Sequence, residues 1–188
     1  ESADWKWSVA IVDDGETVNA WCMAGGRMAV YTGLFDQLEL TDDEFAQIMG
    51  HEISHALAHH TAERMSRAMA TAAGVAVISA ASDNSGAAVA GAALIANVAL
   101  TLPNSRDAEN EADIMGMVLA TKAGYDPEAA VTLWQKMGDL SDDRPAEFLS
   151  THPAPENRQA ALNAMIPQML KINPSRDKAP IHPVTIVR

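Results

Sequence analysis

Apolar and polar positions fall into two regimes along this chain. A short first part alternates, and a long second part repeats at helical spacing. Trp7-Ser8-Val9-Ala10-Ile11-Val12 has the period of a strand, and Asp13-Asp14-Gly15-Glu16 follows it as a turn. Val18 to Met23 and Arg27 to Thr32 give two more strand candidates, separated by Gly25-Gly26 and stopped by Gly33. Three short strands joined by tight turns predict a small antiparallel sheet.

The period changes at residue 41. Thr41-Asp42-Asp43-Glu44 has the form of a capping box, in which a hydroxyl and a carboxylate three residues on each satisfy an orphan amide. Phe45, Ile48, Met49, Ile53, Ala56 and Leu57 then recur on one face, predicting a helix from Asp42 to about Ala72. Further helices are expected from Arg106 to Ala123, stopped near Gly124, from Asp126-Pro127 onward, and from near Pro155 to before Pro174. The tail is rich in proline and reads as irregular. The expected class is α+β: a mainly helical domain over residues 1–172 with a small antiparallel sheet near its N-terminus, and an irregular tail over 173–188.

Two apolar stretches, Ala68 to Ala81 and Gly86 to Leu102, flank the turn-like Ser82-Asp83-Asn84-Ser85. Each falls short of the ~20 residues that a spanning helix needs. They read as buried or lid helices, with peripheral membrane contact as the alternative. Composition adds three limits. The 188 residues, 48% of them apolar, suffice for one compact core. A net charge of −12 argues against nucleic acid or an anionic membrane surface as partner. The single cysteine, Cys22, excludes an intrachain disulfide and a cysteine-rich metal cluster, and its apolar setting suits a buried inert thiol.

The candidate chemistry sits within the long predicted helix, at His51-Glu52-Ile53-Ser54-His55. Residues four apart leave the same helix face one turn apart, so two imidazoles can share a tetrahedral zinc ion. The adjacent Glu52 suits a general base for water held on that zinc. A catalytic zinc needs a third protein ligand. A histidine further along the helix would require glycine at 58 and histidine at 61, where the chain has Ala58 and Thr61. A carboxylate on a later helix remains. In Ser105-Arg106-Asp107-Ala108-Glu109-Asn110-Glu111-Ala112-Asp113, Glu109 and Asp113 share a face; one can ligate while the other holds a histidine N–H. His59 and His60 lie on the same predicted helix and read as structural, and His182 has no evident role.

More of the chain fits one pattern. Asn19-Ala20-Trp21-Cys22-Met23-Ala24-Gly25-Gly26, Val30-Tyr31-Thr32-Gly33-Leu34, the HExxH, the SRxxExxAD segment, and Ser150-Thr151-His152-Pro153 with Arg158 follow in order. Over roughly residues 17 to 165 these elements resemble peptidase family M48, gluzincin zinc metallopeptidases with a zincin-like fold. One departure is Ala24, where proline is usual. The resemblance implies that His51, His55 and Glu109 bind one Zn2+ per chain, that Glu52 is the general base, and that Asp113 supports a ligand histidine. It also implies an endopeptidase of unfolded or damaged polypeptides, in the bacterial periplasm or anchored as a lipoprotein facing it, with room for outer-membrane association. His152 is expected to be catalytic, stabilising the developing oxyanion, or else to close the open metal position as a latch. Arg158 is expected to pair with a carboxylate near the site or to cap its loop. The strand from Met28 to Thr32 is a candidate edge for an extended substrate. The alternative function is a zinc-bound, chaperone-like or latched module with little proteolysis.

Overall fold

The structure is a computed structural model and describes residues 2–81, 104–143, 147–153, 157–181 and 185. After a short 3-10 turn come strands β1 (Ser8–Val12), β2 (Ala20–Met23) and β3 (Arg27–Tyr31), in the spatial order β1-β3-β2. The β2–β3 pair is antiparallel, joined by a turn in which Gly25 and Gly26 take φ of 91° and 80°, a region open to glycine without strain. β1 runs parallel to β3, so the expected small sheet is mixed. Burial accounts for the order. Met28, Ala29 and Val30 are all buried and occupy the centre, whereas Ser8 to Ile11 are exposed at the far edge. β3 is therefore paired on both sides and offers no edge to a substrate, contrary to the sequence expectation. Among the described residues the other edge of the sheet belongs to β2, where Ala20 and Cys22 face inward while Trp21 and Met23 face out.

Among the described residues seven α-helices follow: α1 (Gly33–Leu38), α2 (Asp42–Leu57), α3 (His60–Ala81), α4 (Arg106–Lys122), α5 (Ala129–Asp143), α6 (Glu147–Thr151) and α7 (Arg158–Met169). α2 starts with the anticipated capping box: Glu44 N–H donates to Thr41 Oγ1 at 3.2 Å, and Thr41 N–H donates to Glu44 Oε2 at 2.9 Å. The single helix expected from Asp42 to Ala72 is two helices. Ala58 closes α2, and His59 lies in the left-handed region at φ 57°, turning the chain before α3 begins.

α2 is the central element. One side packs on β2 and another on α4, and at that crossing the backbones touch. A Cβ on Gly50 would lie 2.6 Å from the Gly116 carbonyl oxygen, and one on Gly116 would lie 2.6 Å from the His51 amide nitrogen. The apolar core gathers beside this crossing from Val30, Leu34, Ile48, Met117, Leu133 and Phe148. The run from Ala68 was expected to be buried or to form a lid. Within α3, Met69 and Val77 are exposed, and residues 82–103 lie outside the described residues. No described helix is long and apolar enough to cross a membrane. The described residues of the tail form no helix or strand, yet they are tied down: Ala179 N–H donates to the Ala123 carbonyl, Arg176 pairs with Asp126 at 2.7 Å, and Lys178 sits over the Tyr125 ring.

Candidate metal centre

Four side chains converge where α2, α4 and the end of α6 meet. His51 and His55 project from successive turns of α2 with their Nε2 atoms 3.0 Å apart. Glu109, near the start of α4, brings Oε1 to 3.2 Å from His55 Nε2 and Oε2 to 3.4 Å from His51 Nε2. His152, just past α6, brings Nδ1 to 3.1 Å from Glu109 Oε1 and 3.3 Å from His51 Nε2. All four are buried, and their donor atoms lie within 4.8 Å of one another. Metal–ligand bonds of ~2.0–2.1 Å in a tetrahedron place ligand atoms about 3.3–3.4 Å apart. The closest donor pairs, 3.0 to 3.4 Å apart, are thus near the spacing that a tetrahedrally held metal ion requires.

Chemistry gives the same answer. The carboxylates of Glu52, Glu109 and Asp113 are buried among the rings of His51, His55 and His152, with the buried guanidinium of Arg158 beside Glu109 and Asp113. Imidazole nitrogens and a carboxylate oxygen converging in this way are a donor set that fits a divalent ion.

Residues 1–166 match peptidase family M48. The chain belongs to peptidase family M48. It is 36% identical over 168 residues to the mitochondrial metalloendopeptidase OMA1 of Arabidopsis thaliana, covering 84% of this chain and 31% of that protein. It is 32% identical over 169 residues to the protein of that name in Schizosaccharomyces pombe, covering 88% of this chain and 48% of the relative. The beta-barrel assembly-enhancing protease of Escherichia coli K12 is 30% identical over 156 residues, covering 78% and 32%. M48 relatives thus fall in both a mitochondrial and a bacterial group, and the family rather than one branch is resolved. The chain spans between about a third and a half of the length of these relatives.

In this M48 chain the donors are held from behind by a second set of residues. Asp113, one turn after Glu109 on α4, has Oδ1 2.9 Å from His51 Nδ1, which turns Nε2 of that ring toward the cluster. Arg158, at the start of α7, donates Nε to Asp113 Oδ2 at 2.6 Å and Nη2 to Glu109 Oε2 at 2.8 Å. Its guanidinium stacks over Trp134 at 3.8 Å. Of the two sequence readings for Arg158, the geometry is that of the carboxylate pair. Phe148 stacks on the His152 ring at 4.4 Å. His60 is a residue that sequence reasoning set aside as structural. Its Nδ1 stands 2.9 Å from His55 Nδ1, and its Nε2 stands 3.3 Å from Glu111 Oε2. No periodicity signals it, because a position five residues after His55 is off the face of an unbroken helix. His59 packs instead edge-on against Trp5, and His182 lies outside the described residues.

Burial lowers the proton affinity of both α2 histidines, with opposite outcomes. At His51 the bonds to Asp113 and Glu109 outweigh it and raise the pKa to about 9. At His55 no carboxylate meets Nδ1, and desolvation carries the pKa down to about 3. Burial also pushes Glu109 up, but hydrogen bonds from His152, His51 and His55 overcome it and hold the carboxylate well below its ordinary range. Glu52 is raised, chiefly by burial. Its Oε1 has no hydrogen-bond partner, and the Cys22 backbone amide of β2 steadies the carboxylate. Cys22 itself is pushed up to about 12 by burial and by Glu52, so its thiol stays inert.

A cavity of about 430 Å³ opens beside the cluster. Its walls are β2, the first turns of α3, Glu52 and His152.

Proposed function

We propose that this M48 domain is a zinc-dependent endopeptidase that hydrolyses peptide bonds of unfolded or damaged polypeptides. The observation that carries the reading is Glu52: a buried carboxylate with one unbonded oxygen, on the wall of an open cleft and beside four convergent metal donors. In this reading His51, His55 and Glu109 hold one Zn2+. When bound, the zinc supplies a Lewis acid that polarises a carbonyl and acidifies water. Glu52 takes the proton of the attacking water at Oε1, which makes no hydrogen bond, and returns it to the leaving amine, a role suited to a carboxyl raised by burial. Asp113 fixes the His51 tautomer, and Arg158 holds both carboxylates in place. The outer edge of β2, which borders the cleft, pairs with the substrate in extended form.

His152 supports two roles. Its Nε2 lies 3.4 Å from Glu52 Oε1, within reach of an oxyanion developing in the cleft. Its Nδ1 stands among the other three donors, which favours a second reading of a latched site with little proteolysis. The resemblance of its motifs to the family also leads us to propose the bacterial periplasm as its compartment, free or as a membrane-anchored lipoprotein facing it, with peripheral outer-membrane contact allowed.

Casein digestion by zinc-loaded wild type, Glu52→Gln and His152→Ala tests these assignments. Glu52→Gln is expected to keep its zinc and to lose roughly 10²- to 10⁴-fold in cleavage rate. Equal cleavage by Glu52→Gln and wild type would refute the catalytic assignment. His152→Ala is expected to slow cleavage if the residue stabilises the oxyanion and to speed it if the residue is a latch.

A further inference from the structure

The two histidines of α2 turn their second ring nitrogens to different partners. His51 meets a carboxylate, Asp113. His55 meets another imidazole, at His60 Nδ1, 2.9 Å away. His60 is buried, and its far nitrogen, Nε2, stands 3.3 Å from Glu111 Oε2. Two ring nitrogens at hydrogen-bond distance share one proton, with one ring donating and the other accepting. His55 can offer a lone pair at Nε2 to a metal ion held with Glu109 and His51 only with its proton on Nδ1. His60 Nδ1 must then accept. The His60 proton is thereby on Nε2, where Glu111 accepts it. One carboxylate on α4 thus selects the tautomer of His60, and His60 selects that of His55.

The backbone is bent to allow this contact. In an unbroken helix, residue 60 would stand about 140° round and ~7.5 Å along from His55. The left-handed residue at the break, His59 with φ 57°, returns His60 beneath His55. A side chain held at positive φ is a strained choice that the surroundings must enforce. Glu111 comes from α4 as well, about 200° round that helix from Glu109. α4 therefore contributes Glu109 to the metal donors, Asp113 to His51 and Glu111 to His60.

We propose that His60, oriented by Glu111, is a positioning residue that fixes His55 as its Nδ1–H tautomer and aims Nε2 at the metal. This rests on the zinc reading above. Glu111 is 59% exposed at its side chain, and water can replace it in part, so its effect is the smaller of the two.

The test is zinc affinity, measured by competition with a chromophoric chelator, together with the visible spectrum of the cobalt(II)-loaded protein and the melting temperature of the metal-free form. His60→Phe keeps a ring of similar size and removes the acceptor. It is expected to weaken zinc binding roughly 10- to 100-fold and to shift the cobalt bands, with metal-free melting near wild type. His60→Asn places an oxygen near the Nδ1 position and is expected to recover most of the affinity. Glu111→Ala is expected to weaken binding by about two- to fivefold, a part of the same support effect. Wild-type affinity and cobalt spectrum in His60→Phe would overturn the proposal, as would a folded His60→Asn no better than His60→Phe. Should His60→Phe not fold, Glu111→Ala decides, since it alters only a largely exposed side chain; unchanged affinity and spectrum there overturn the relay. A wild type that takes up no zinc sinks the parent reading instead. A wild type that binds zinc and cleaves, beside a His60→Phe that binds equally well, sinks only this one.

Discussion

Arg158 shows what a single residue carries here. Its guanidinium bridges two buried carboxylates at once, Asp113 and Glu109, while its face rests on Trp134. Deleting it removes the guanidinium from both acids and leaves them buried with only histidine rings as partners, and breaking such a buried pair costs about 3–5 kcal/mol. Arg158→Ala is therefore expected to lower the unfolding free energy of the metal-free protein by about that amount, read from denaturant midpoints, with part of the loss restored by saturating zinc. A loss below about 1 kcal/mol, the range of a surface pair, would mean that the carboxylates find other support. The residues of the cluster were not equally legible. His51, Glu52 and His55 announce themselves because one helix turn fixes their relation. Glu109 and Asp113 share a face for the same reason, although spacing alone left open which would ligate. The role of Arg158, 45 residues from Asp113, has no local signature.

At the scale of elements, α2 and α4 must touch for the site to exist. α2 carries both histidines and α4 carries Glu109, and Gly50 and Gly116 let the two backbones meet between them. A methyl group on Gly116 would strike the His51 amide nitrogen at 2.6 Å and the Gly50 carbonyl carbon at 2.8 Å, both backbone atoms that cannot rotate away. Gly116→Ala is expected to push the helices apart, costing about 1–3 kcal/mol in stability, and to weaken zinc binding because Glu109 retreats from His51 and His55. Zinc affinity equal to wild type in a folded Gly116→Ala would show that the crossing has slack. The capping box at Thr41 was readable in advance because it depends on four consecutive residues. The break at His59 was not. Helical periodicity continues through it, and the contacts that favour it, His60 with His55 and His59 with Trp5, join parts of the chain that only folding brings together.

At the scale of the whole molecule, Glu44 couples helix capping to assembly. Besides closing the capping box, its carboxylate accepts from Thr132 at 2.8 Å and from Lys136 at 2.8 Å, both on α5. Burial pushes its pKa up, but the bonds from Lys136, Thr41 and Thr132 outweigh this and hold it below the ordinary 4.5. A carboxyl depressed by folding contributes stability that is complete above its unfolded value and disappears as pH falls through its folded one. Glu44→Gln is expected to destabilise the protein by about 1–2 kcal/mol at neutral pH. That gap should hold down to about the ordinary carboxyl value and close only in stronger acid. A gap of the same size at neutral and strongly acidic pH would remove Glu44 as its source.

The sequence alone determined whatever depends on local order. Helix spacing determined that two imidazoles and two carboxylates share faces, and the order of motifs carried the resemblance to family M48. Tertiary structure decided what depends on which surfaces meet. Burial drew β3 into the centre of the sheet and left the cleft-side edge to β2. The contact of α2 with α4 at two glycines brought the donors within reach of one metal ion. The turn at His59 put His60 behind His55. The reason is physical: covalent geometry fixes the relation of residues a helix turn apart, whereas the relation of residues 50 or 100 positions apart is set only by the packing that joins them.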